Sequence, residues 1–487
     1  MPVIVPSPLL VEGWFAIVGL LVILLRATSA HAGKQSSPAA IRVDALAIVS
    51  IALITIAFYA WTARFYFLSD DFVLLRHAYA PLNWRVLLAT PGGDGSYRPI
   101  GHLSYMLTAK WAASDPLRWH WIGIVLHAAN ALLVFMLTAA LGWSRLAAWL
   151  AAVLFALHGT RPEAAVWMAG RYDLLATFFF LIATVSFVRS WEARGARRML
   201  YQSATCLAML VAILLKESAY AFPLIATLLA ACFAPEAVRR ARVTLASCWI
   251  LAAALLAYRW SLFHGIGGYG GFSLLSLLKA LTFRIWAVLF FPINWTISPG
   301  IVLAILVGVY AVALATLFCV RAPRRRLLFA VSFVILSALP AYSQLLIGID
   351  LEKSRVLYLP SIGFCQLLAV LAENARPKLK AGIATAVILF HAAALLHNLS
   401  AWDQASRVVR SACIAAAACS DRPTVVSGLP RTINGVYTFA NGFPECVAMQ
   451  NAGARAPIRL EAGESAAMPN ECRFTWDSKD NALTRVH

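Results

Sequence analysis

The chain has 487 residues, of which 61% are hydrophobic and only 13% are charged, and its mean hydropathy is +0.74. Soluble globular proteins carry about half apolar and about a quarter charged residues, so this composition excludes a soluble enzyme and indicates a polytopic membrane protein. The formal net charge of +19 does not indicate nucleic-acid binding, because Lys and Arg fall mostly in short segments between apolar runs. The sequence contains no Walker loop, no glycine-rich dinucleotide fingerprint and no CxxC pair, so ATP, NAD and structural zinc are not expected.

The first apolar run, residues 14–25, is followed by basic residues, and this charge bias predicts a retained helix with its N-terminus outside. Run 43–63 has the roughly 20 residues that a membrane span needs, and it delivers Asp70 and Asp71 to the outer side. Segment 64–118 is too polar to span. Its many aromatic residues predict interfacial helices within a first outer loop.

Further apolar runs follow along the chain, some of them short for a full span. They are 119–141, 146–157, 174–188, 200–215, 219–233, 243–263, 301–320, 327–347, 356–371 and 381–397. Four connectors, around 189–198, 239–242, 321–326 and 376–380, are strongly basic, which predicts that they face the cytoplasm. The remaining connectors are then outside, and they contain the candidate chemical residues.

Run 273–292 is apolar but carries Lys279 and Arg284. A span here would place the basic segment 321–326 outside, so we interpret the run as re-entrant or interfacial, although the sequence does not settle whether it spans. The count is then about a dozen transmembrane helices with both termini outside. The predicted fold is an all-α polytopic membrane protein.

The character of the chain changes near residue 400, where β-forming residues and turn signals replace the apolar runs. We expect three parts: an N-terminal helix with its linker (1–41), a transmembrane catalytic domain (42–399) and a small α+β outer domain (400–487). Four cysteines in the last part could form two disulfides in an oxidising compartment, with the pairing left open. They are Cys413, Cys419, Cys446 and Cys472.

The adjacent carboxylates of Asp70 and Asp71 are the first candidates for chemistry, because they lie where a span leaves the membrane. An acid there can accept a proton from an attacking hydroxyl, and its neighbour can tune or orient it. The pair could instead cap a helix, or could share Mg²⁺ or Mn²⁺, although two carboxylates alone are a weak metal signal. No other cofactor is indicated.

The other outer connectors contain basic and acidic groups close to membrane depth. Basic residues there could bind a lipid phosphate, and the candidates are Arg98, Arg171, Lys216 and Arg355. Residues that could orient the substrate or these cations are His102, His158, Glu163, Asp173, Glu217 and Glu352. Together they suit sugar transfer from a polyprenyl-phosphate donor to an acceptor hydroxyl, with inversion at the anomeric carbon and with cations stabilising the departing phosphate.

These motifs, in this order, resemble those of the GT-C superfamily of membrane glycosyltransferases. The resemblance is greatest to the transmembrane O-mannosyltransferases with tetratricopeptide repeats and to their bacterial relatives. It rests on Asp70-Asp71, on Tyr97-Arg98-Pro99, on His158…Glu163 with Gly170-Arg171-Tyr172-Asp173, on Lys216-Glu217 and on Arg355…Gly363. It implies a polyprenyl-phosphate sugar donor, an outer-facing site and a base at Asp70 or Asp71.

The chain departs from that pattern because the short segment after 400 stands where the repeats would be, so the acceptor could be a glycan, a lipid or a protein. By analogy we expect a bacterial inner-membrane enzyme that uses undecaprenyl phosphate and whose site faces the periplasm. A transporter or flippase of lipid-linked sugars, and a glycan ligase of the O-antigen type, are the alternatives. The sequence identifies neither the sugar nor the acceptor.

Overall fold

The computed structural model describes residues 38–90, 95–235, 237–265, 273–419, 422–450, 458–461 and 471–486. The predicted helix at 14–25 and the Gly-rich stretch 92–94 lie outside the described residues. Most of the described chain is helical, as the apolar runs predict, and a small sheet follows near the C-terminus.

The helices, numbered in chain order, form a membrane bundle together with short helices at its surface. They are α1 (Pro38–Tyr59), α2 (Asp70–Ala78), α3 (Trp84–Ala89), α4 (Pro99–Ala112), α5 (Pro116–Ala140), α6 (Arg145–Leu157), α7 (Pro162–Ala165), α8 (Arg171–Ser190), α9 (Gly195–Leu215), α10 (Phe222–Phe233), α11 (Ala237–Phe263), α12 (Leu274–Lys279), α13 (Ile285–Phe290), α14 (Ile301–Phe318), α15 (Arg324–Ala338), α16 (Ser361–Glu373), α17 (Pro377–Ala417) and α18 (Phe443–Gln450).

Seven helical segments among the described residues are long and apolar enough to cross a membrane. They are Val43–Arg64, Pro116–Ala140, Met168–Ser190, Gly195–Leu215, Ala241–Phe263, Ile301–Phe318 and Pro377–Ala417. The apolar helices α6 and α16 and the segment Glu217–Phe233 are shorter than that limit. Backbone hydrogen bonds closed within each helix explain why these apolar segments are helical in a bilayer.

Basic connectors meet at one end of the bundle, which we call the basic end. Arg326 donates a hydrogen bond to the carbonyl of Gly142 (3.0 Å) and pairs with Glu373 (3.1 Å). Its guanidinium also lies over the ring of Trp143, 5.5 Å from the centroid. These contacts join three connectors that are distant in sequence. The opposite end, where Asp70 and Asp71 lie, is called the site end.

Predicted run 273–292 forms α12 and α13, joined by a π-helical segment, Ala280–Arg284. Arg284 donates from Nε to the carbonyl of Ile347. The run is not among the seven candidate spans of the described chain. Its assignment as re-entrant or interfacial remains a prediction.

Helix α17 continues without a break to Ala417, so the boundary predicted at residue 400 falls inside a helix. Beyond it, a four-stranded sheet has the order β4-β1-β5-β6, with β5 and β6 antiparallel and the other pairs parallel. The strands are β1 (Thr424–Ser427), β4 (Ile458–Glu461), β5 (Cys472–Asp477) and β6 (Ala482–Val486), and a separate hairpin is formed by β2 (Thr432–Ile433) and β3 (Val436–Tyr437).

Two disulfides attach this C-terminal domain to the C-terminal end of α17 and to the turn that follows it. Cys413 pairs with Cys446 on α18, and Cys419 pairs with Cys472 on β5. The four cysteines are therefore the ones that the sequence singled out, and the structure selects one pairing among the open alternatives. The domain is held over the site end of the bundle.

Candidate active site

Asp71 lies in the first turn of α2 and is buried, with 1% of its surface exposed. Both carboxylate oxygens are occupied: Leu68 N–H donates to Oδ2 (3.0 Å) and Ala169 N–H donates to Oδ1 (2.9 Å). Burial raises the pKa of Asp71 well above its ordinary value, and the two N–H groups oppose that rise. Asp71 thereby connects the start of α2 to the turn that precedes α8.

Asp70 precedes it and is only partly buried. The Asn441 side-chain amide donates to its Oδ1 at 2.6 Å. Within the described part of the chain, Oδ2 of Asp70 has no hydrogen-bond donor. Asp70 therefore has one carboxylate oxygen without a donor, whereas each oxygen of Asp71 accepts a backbone N–H group.

The turn before Asp70 is fixed by the C-terminal domain. Ser69 has φ of +46° and donates its N–H to the carbonyl of Thr438 (3.1 Å), while Asn441 N–H donates to its hydroxyl (3.2 Å). Gly442, at φ +77°, lies so close that an added Cβ would be 2.6 Å from the Ser69 carbonyl oxygen. Contacts 371 residues apart in sequence therefore hold Asp70 in place.

Glu163 positions Arg355 on the same side of the bundle. Its Oε2 accepts hydrogen bonds from Arg355 N–H (3.0 Å) and the Ser354 hydroxyl (3.2 Å), and Oε1 lies 3.8 Å from Arg355 Nε. Burial raises the pKa of Glu163, and the charge of Arg355 acts in the opposite direction. The Arg355 guanidinium lies over the indole of Trp167, 4.6 Å from the ring centroid.

Trp167 and Tyr437 form an aromatic contact beside this ion pair. The rings stack with centroids 5.1 Å apart, and Trp167 donates from Nε1 to the carbonyl of Leu68 (3.1 Å). The Tyr437 hydroxyl donates to Glu352 Oε1 (2.7 Å). Hairpin β2–β3 therefore packs against Trp167, the ring over which the Arg355 guanidinium also lies.

Two further cations of the predicted set are held by carboxylates. Lys216 Nζ lies 2.5 Å from Asp173 Oδ1, and both side chains are largely buried. Arg98 donates from Nε (3.0 Å) and Nη2 (2.9 Å) to the two oxygens of Glu217, which is the bidentate geometry that arginine favours. Lys216 and Glu217, although adjacent in sequence, therefore have different partners.

These pairs lie close enough to interact. The charges of Arg98 and Arg355 both act on Lys216, and the charge of Asp173 acts on Glu163. The structure therefore brings Arg98, Lys216 and Arg355 together at the site end, along with the carboxylates that hold them. Such a group of cations can bind a phosphate.

Arg171 and His102 lie beside this group. The Arg171 guanidinium lies against the rings of Tyr105 (4.8 Å) and Trp119 (4.6 Å) and donates to the Thr108 hydroxyl (3.0 Å). Arg171 is 3% exposed, so it supports the site from within the protein. His102 Nδ1 is 3.3 Å from the hydroxyl of Tyr172.

His158 does not join the group. Its ring is fully buried at the end of α6, with Nδ1 2.9 Å from the Thr160 hydroxyl and Nε2 3.0 Å from the Leu289 carbonyl. It stacks on His391 at 4.8 Å. Because both ring nitrogens are occupied inside the core, we place His158 in the packing below the site and not among the groups that orient substrate.

A cavity of about 390 Å³ opens next to Arg98, between α2, α3 and the first turns of α4. Its walls are mostly apolar, and Arg98 and His102 lie on its surface. A cavity with apolar walls and a cation at one side suits an amphiphile with a phosphate group.

A divalent cation at Asp70 and Asp71 remains a prediction. The described residues contain no group of three or more His, Cys, Asp or Glu that could hold a metal ion. Both oxygens of Asp71 already accept backbone N–H groups. We therefore assign no step of the proposed reaction to a metal ion.

Four residues of the site were not found by sequence reasoning: Trp167, Ser354, Tyr437 and Asn441. Trp167 lies in the connector between α6 and α8 that contains the candidate Glu163 and leads into Arg171. An aromatic residue within a polar connector is the one local signal that could have indicated Trp167. Tyr437 and Asn441 reach the site through contacts with residues that are distant in sequence, which no local pattern indicates.

The chain is similar in sequence to known membrane enzymes over part of its length. No family model matches the chain. It is 32% identical over 136 residues to the protein O-mannosyl-transferase Tmtc1 of Drosophila melanogaster, a match that covers 28% of this chain and 16% of that protein. It is 30% identical over 135 residues to human TMTC2, covering 28% of this chain and 14% of TMTC2. The matches thus span about one sixth of these relatives' own length.

Two solved structures also align with the chain. Crystalline ArnT from Cupriavidus metallidurans, bound to undecaprenyl phosphate, has 13% identity and a TM-score of 0.48, with 85% of this chain and 89% of that chain covered. The oligosaccharyltransferase of Archaeoglobus fulgidus, tethered to an acceptor peptide, has 14% identity and a TM-score of 0.40, with 82% and 64% covered. The resemblance of this chain to protein O-mannosyl-transferases, which the motifs predicted, is confirmed by the curated relatives it matches, over about a quarter of its length.

Proposed function

We propose that the protein is an inverting glycosyltransferase that moves a sugar from a polyprenyl-phosphate donor to an acceptor hydroxyl. One observation supports this most directly: a carboxylate with an available oxygen, Asp70, lies at the same end of the bundle as the cations Arg98, Lys216 and Arg355. The curated relatives carry a name that states sugar transfer, which agrees with this chemistry.

In the proposed reaction, the acceptor oxygen attacks the anomeric carbon from the side opposite the phosphate. Asp70 accepts the hydroxyl proton as the new C–O bond forms. The bond between the anomeric carbon and the phosphate oxygen breaks, and the lipid phosphate leaves with that electron pair. Arg98, Lys216 and Arg355 stabilise the charge that develops on it. A single displacement inverts the anomeric configuration.

The carboxylates of this cluster then hold the cations in place. Removing a charged group from water costs free energy unless it is paired, so three cations at membrane depth need partners in the absence of donor. Glu163, Asp173 and Glu217 provide these partners. The apolar cavity beside Arg98 would hold the first isoprene units of the donor lipid.

We further propose that the site faces the non-cytoplasmic side, as in a bacterial inner membrane with the site toward the periplasm. Basic connectors gather at the opposite end, which is the distribution expected for cytoplasmic loops. The two disulfides of the C-terminal domain, at the site end, suit an oxidising compartment.

Mass analysis of surface glycans and lipids, comparing a deletion strain with its parent, tests the proposal. We expect a loss of mass equal to one sugar residue on one class of acceptor, restored by the wild-type chain and not by Asp70→Asn. Loss of a whole multi-sugar unit would instead support a ligase. An unchanged surface with substrate accumulation in vesicles would support a transporter.

A further inference from the structure

A second opening, of about 500 Å³, lies at the site end and shares no lining residue with the cavity beside Arg98. It is bounded by the end of the first span, the start of α5, the outer half of α17 and the end of α18. We call it the arginine cleft, after Arg64, Arg407 and Arg410 on its walls. None of the residues assigned to the candidate active site lines it.

The arginine cleft lies at the boundary of the membrane. Arg64 is the last residue of the candidate span Val43–Arg64, and Pro116 is the first residue of the span Pro116–Ala140. Both line the cleft. Trp61, also on its wall, is 40% exposed, and tryptophan favours the depth of the lipid headgroups. The cleft therefore opens where lipid phosphates lie.

The carboxylates on its walls are already engaged. Asp403 pairs with Arg407 at 3.0 Å. Asp115 caps α5 by accepting Leu117 N–H (3.0 Å) and also pairs with Arg118 (3.3 Å).

Arg64 and Arg410, by contrast, are exposed and form no ion pair within the described residues. The cleft therefore presents two uncompensated positive charges.

The floor of the cleft is fixed by hydrogen bonds. Tyr66 N–H donates to the Ser406 hydroxyl (2.6 Å), and Gln450 donates from its amide to the Tyr66 hydroxyl. Segment 64–66 is thereby attached to α17 and α18. The two arginines project from elements that these bonds hold together, so the site is preformed.

We propose that the arginine cleft binds the phosphate headgroup of an anionic membrane lipid. Arg64 and Arg410 would contact the phosphate oxygens, for which the guanidinium geometry is suited, and Trp61 would lie at the level of the glycerol and upper acyl chain. A zwitterionic lipid would bind less well, because its ammonium group would approach the same two cations. This proposal does not depend on sugar transfer.

The test uses the full-length chain purified in neutral detergent and exposed to equal amounts of phosphatidylglycerol and phosphatidylcholine, with retained lipid counted by native mass spectrometry. We expect selective retention of phosphatidylglycerol by the wild type. In Arg64→Gln/Arg410→Gln the apparent affinity should fall by about 10- to 30-fold, since each surface arginine contributes about three- to fivefold.

Arg422→Gln/Arg485→Gln is the matched control, because it removes the same charge from exposed positions of the C-terminal domain away from the cleft. It should retain the lipid as the wild type does. Equal loss in both double variants, or no loss in the cleft variant, would overturn the proposal. Binding of inorganic phosphate as tight as that of the lipid would overturn the assignment to a lipid and indicate a free anion.

Discussion

At the scale of single residues, the two adjacent carboxylates have different surroundings. Asp71 is buried and uses both oxygens as acceptors for backbone N–H groups, whereas Asp70 is partly exposed and holds one contact with Asn441. The sequence alone could not show which of the two carboxylates faces the site. Neighbouring side chains of a helix point about 100° apart, and the residue pattern does not show which of these directions leads to the site. We therefore assign proton transfer to Asp70 and a structural role to Asp71.

Asp70→Asn and Asp71→Asn test this division. The first should lower the transfer rate by about 10²- to 10⁴-fold, the usual contribution of a general base, while thermal stability is unchanged. The second should lower the free energy of unfolding by about 1–3 kcal/mol, because one backbone N–H then faces an amide NH₂. The test is to measure the transfer rate at saturating donor and the melting temperature of both purified variants. The reverse pattern would exchange the two roles.

Glu163 gives the site a dependence on pH. Burial raises its pKa, so on acidification it takes up a proton at a higher pH than an exposed glutamate does. Protonation removes the negative charge of Glu163 and so weakens its ion pair with Arg355. We expect the KM for the lipid donor to rise as pH falls through that raised pKa, with little change at neutral pH.

Glu163→Gln checks this explanation. The variant should have a raised KM at every pH, and it should lack the additional rise on acidification, because the neutral amide cannot titrate. Donor KM measured in steps from pH 8 to pH 5 makes the comparison. A variant that keeps the wild-type pH profile would show that another group is responsible.

At the scale of elements, the long apolar helices are those that the sequence predicts. Run 174–188 is the middle of α8, and run 119–141 corresponds to α5 within a few residues. The length of an apolar run is enough to predict these helices, because in a bilayer the backbone N–H and C=O groups can form their hydrogen bonds mainly with each other within a helix. The hairpin β2–β3, by contrast, has two residues per strand, and its packing against Trp167 joins segments that are distant in sequence.

The hairpin turn offers a test of how the C-terminal domain is attached. Gly435 has φ of +75°, and an added Cβ would be 2.1 Å from the carbonyl oxygen of Asp350. Gly435→Ala should therefore displace the hairpin from the bundle and remove the contact between Tyr437 and Trp167. We expect faster proteolysis of the C-terminal domain and a lower melting temperature.

Gly142→Ala is the matched control at the basic end. Gly142 has a similar φ of +76°, but nothing lies within 4 Å of an added Cβ. Gly142→Ala should lower the free energy of unfolding by about 1 kcal/mol through backbone strain alone, and the proteolysis pattern of the C-terminal domain should not change. Equal effects of the two substitutions would mean that the close approach to Asp350 does not matter.

At the scale of the whole molecule, the distribution of charge predicts orientation. The basic end should face the cytoplasm and the C-terminal domain the opposite side. Two single variants are made in a Cys319→Ser background. Arg194→Cys places an exposed thiol at the basic end, and Lys479→Cys places one in the C-terminal domain. We expect an impermeant maleimide to label Lys479→Cys in intact bacterial spheroplasts, and to label Arg194→Cys only after the membrane is opened. Labelling of Arg194→Cys in sealed spheroplasts would contradict the orientation.

The hydrogen bond between Asn441 and Asp70 has a consequence for biosynthesis. The ribosome makes Asp70 early and Asn441 hundreds of residues later, so a nascent chain inserts most of its helices before the base acquires its final surroundings. Oxidation of the cysteines at 446 and 472 comes later still. If the proposed function holds, a message cut short before codon 441 should yield an inserted chain in which Asp70 lacks this contact, and we expect its transfer activity to be reduced.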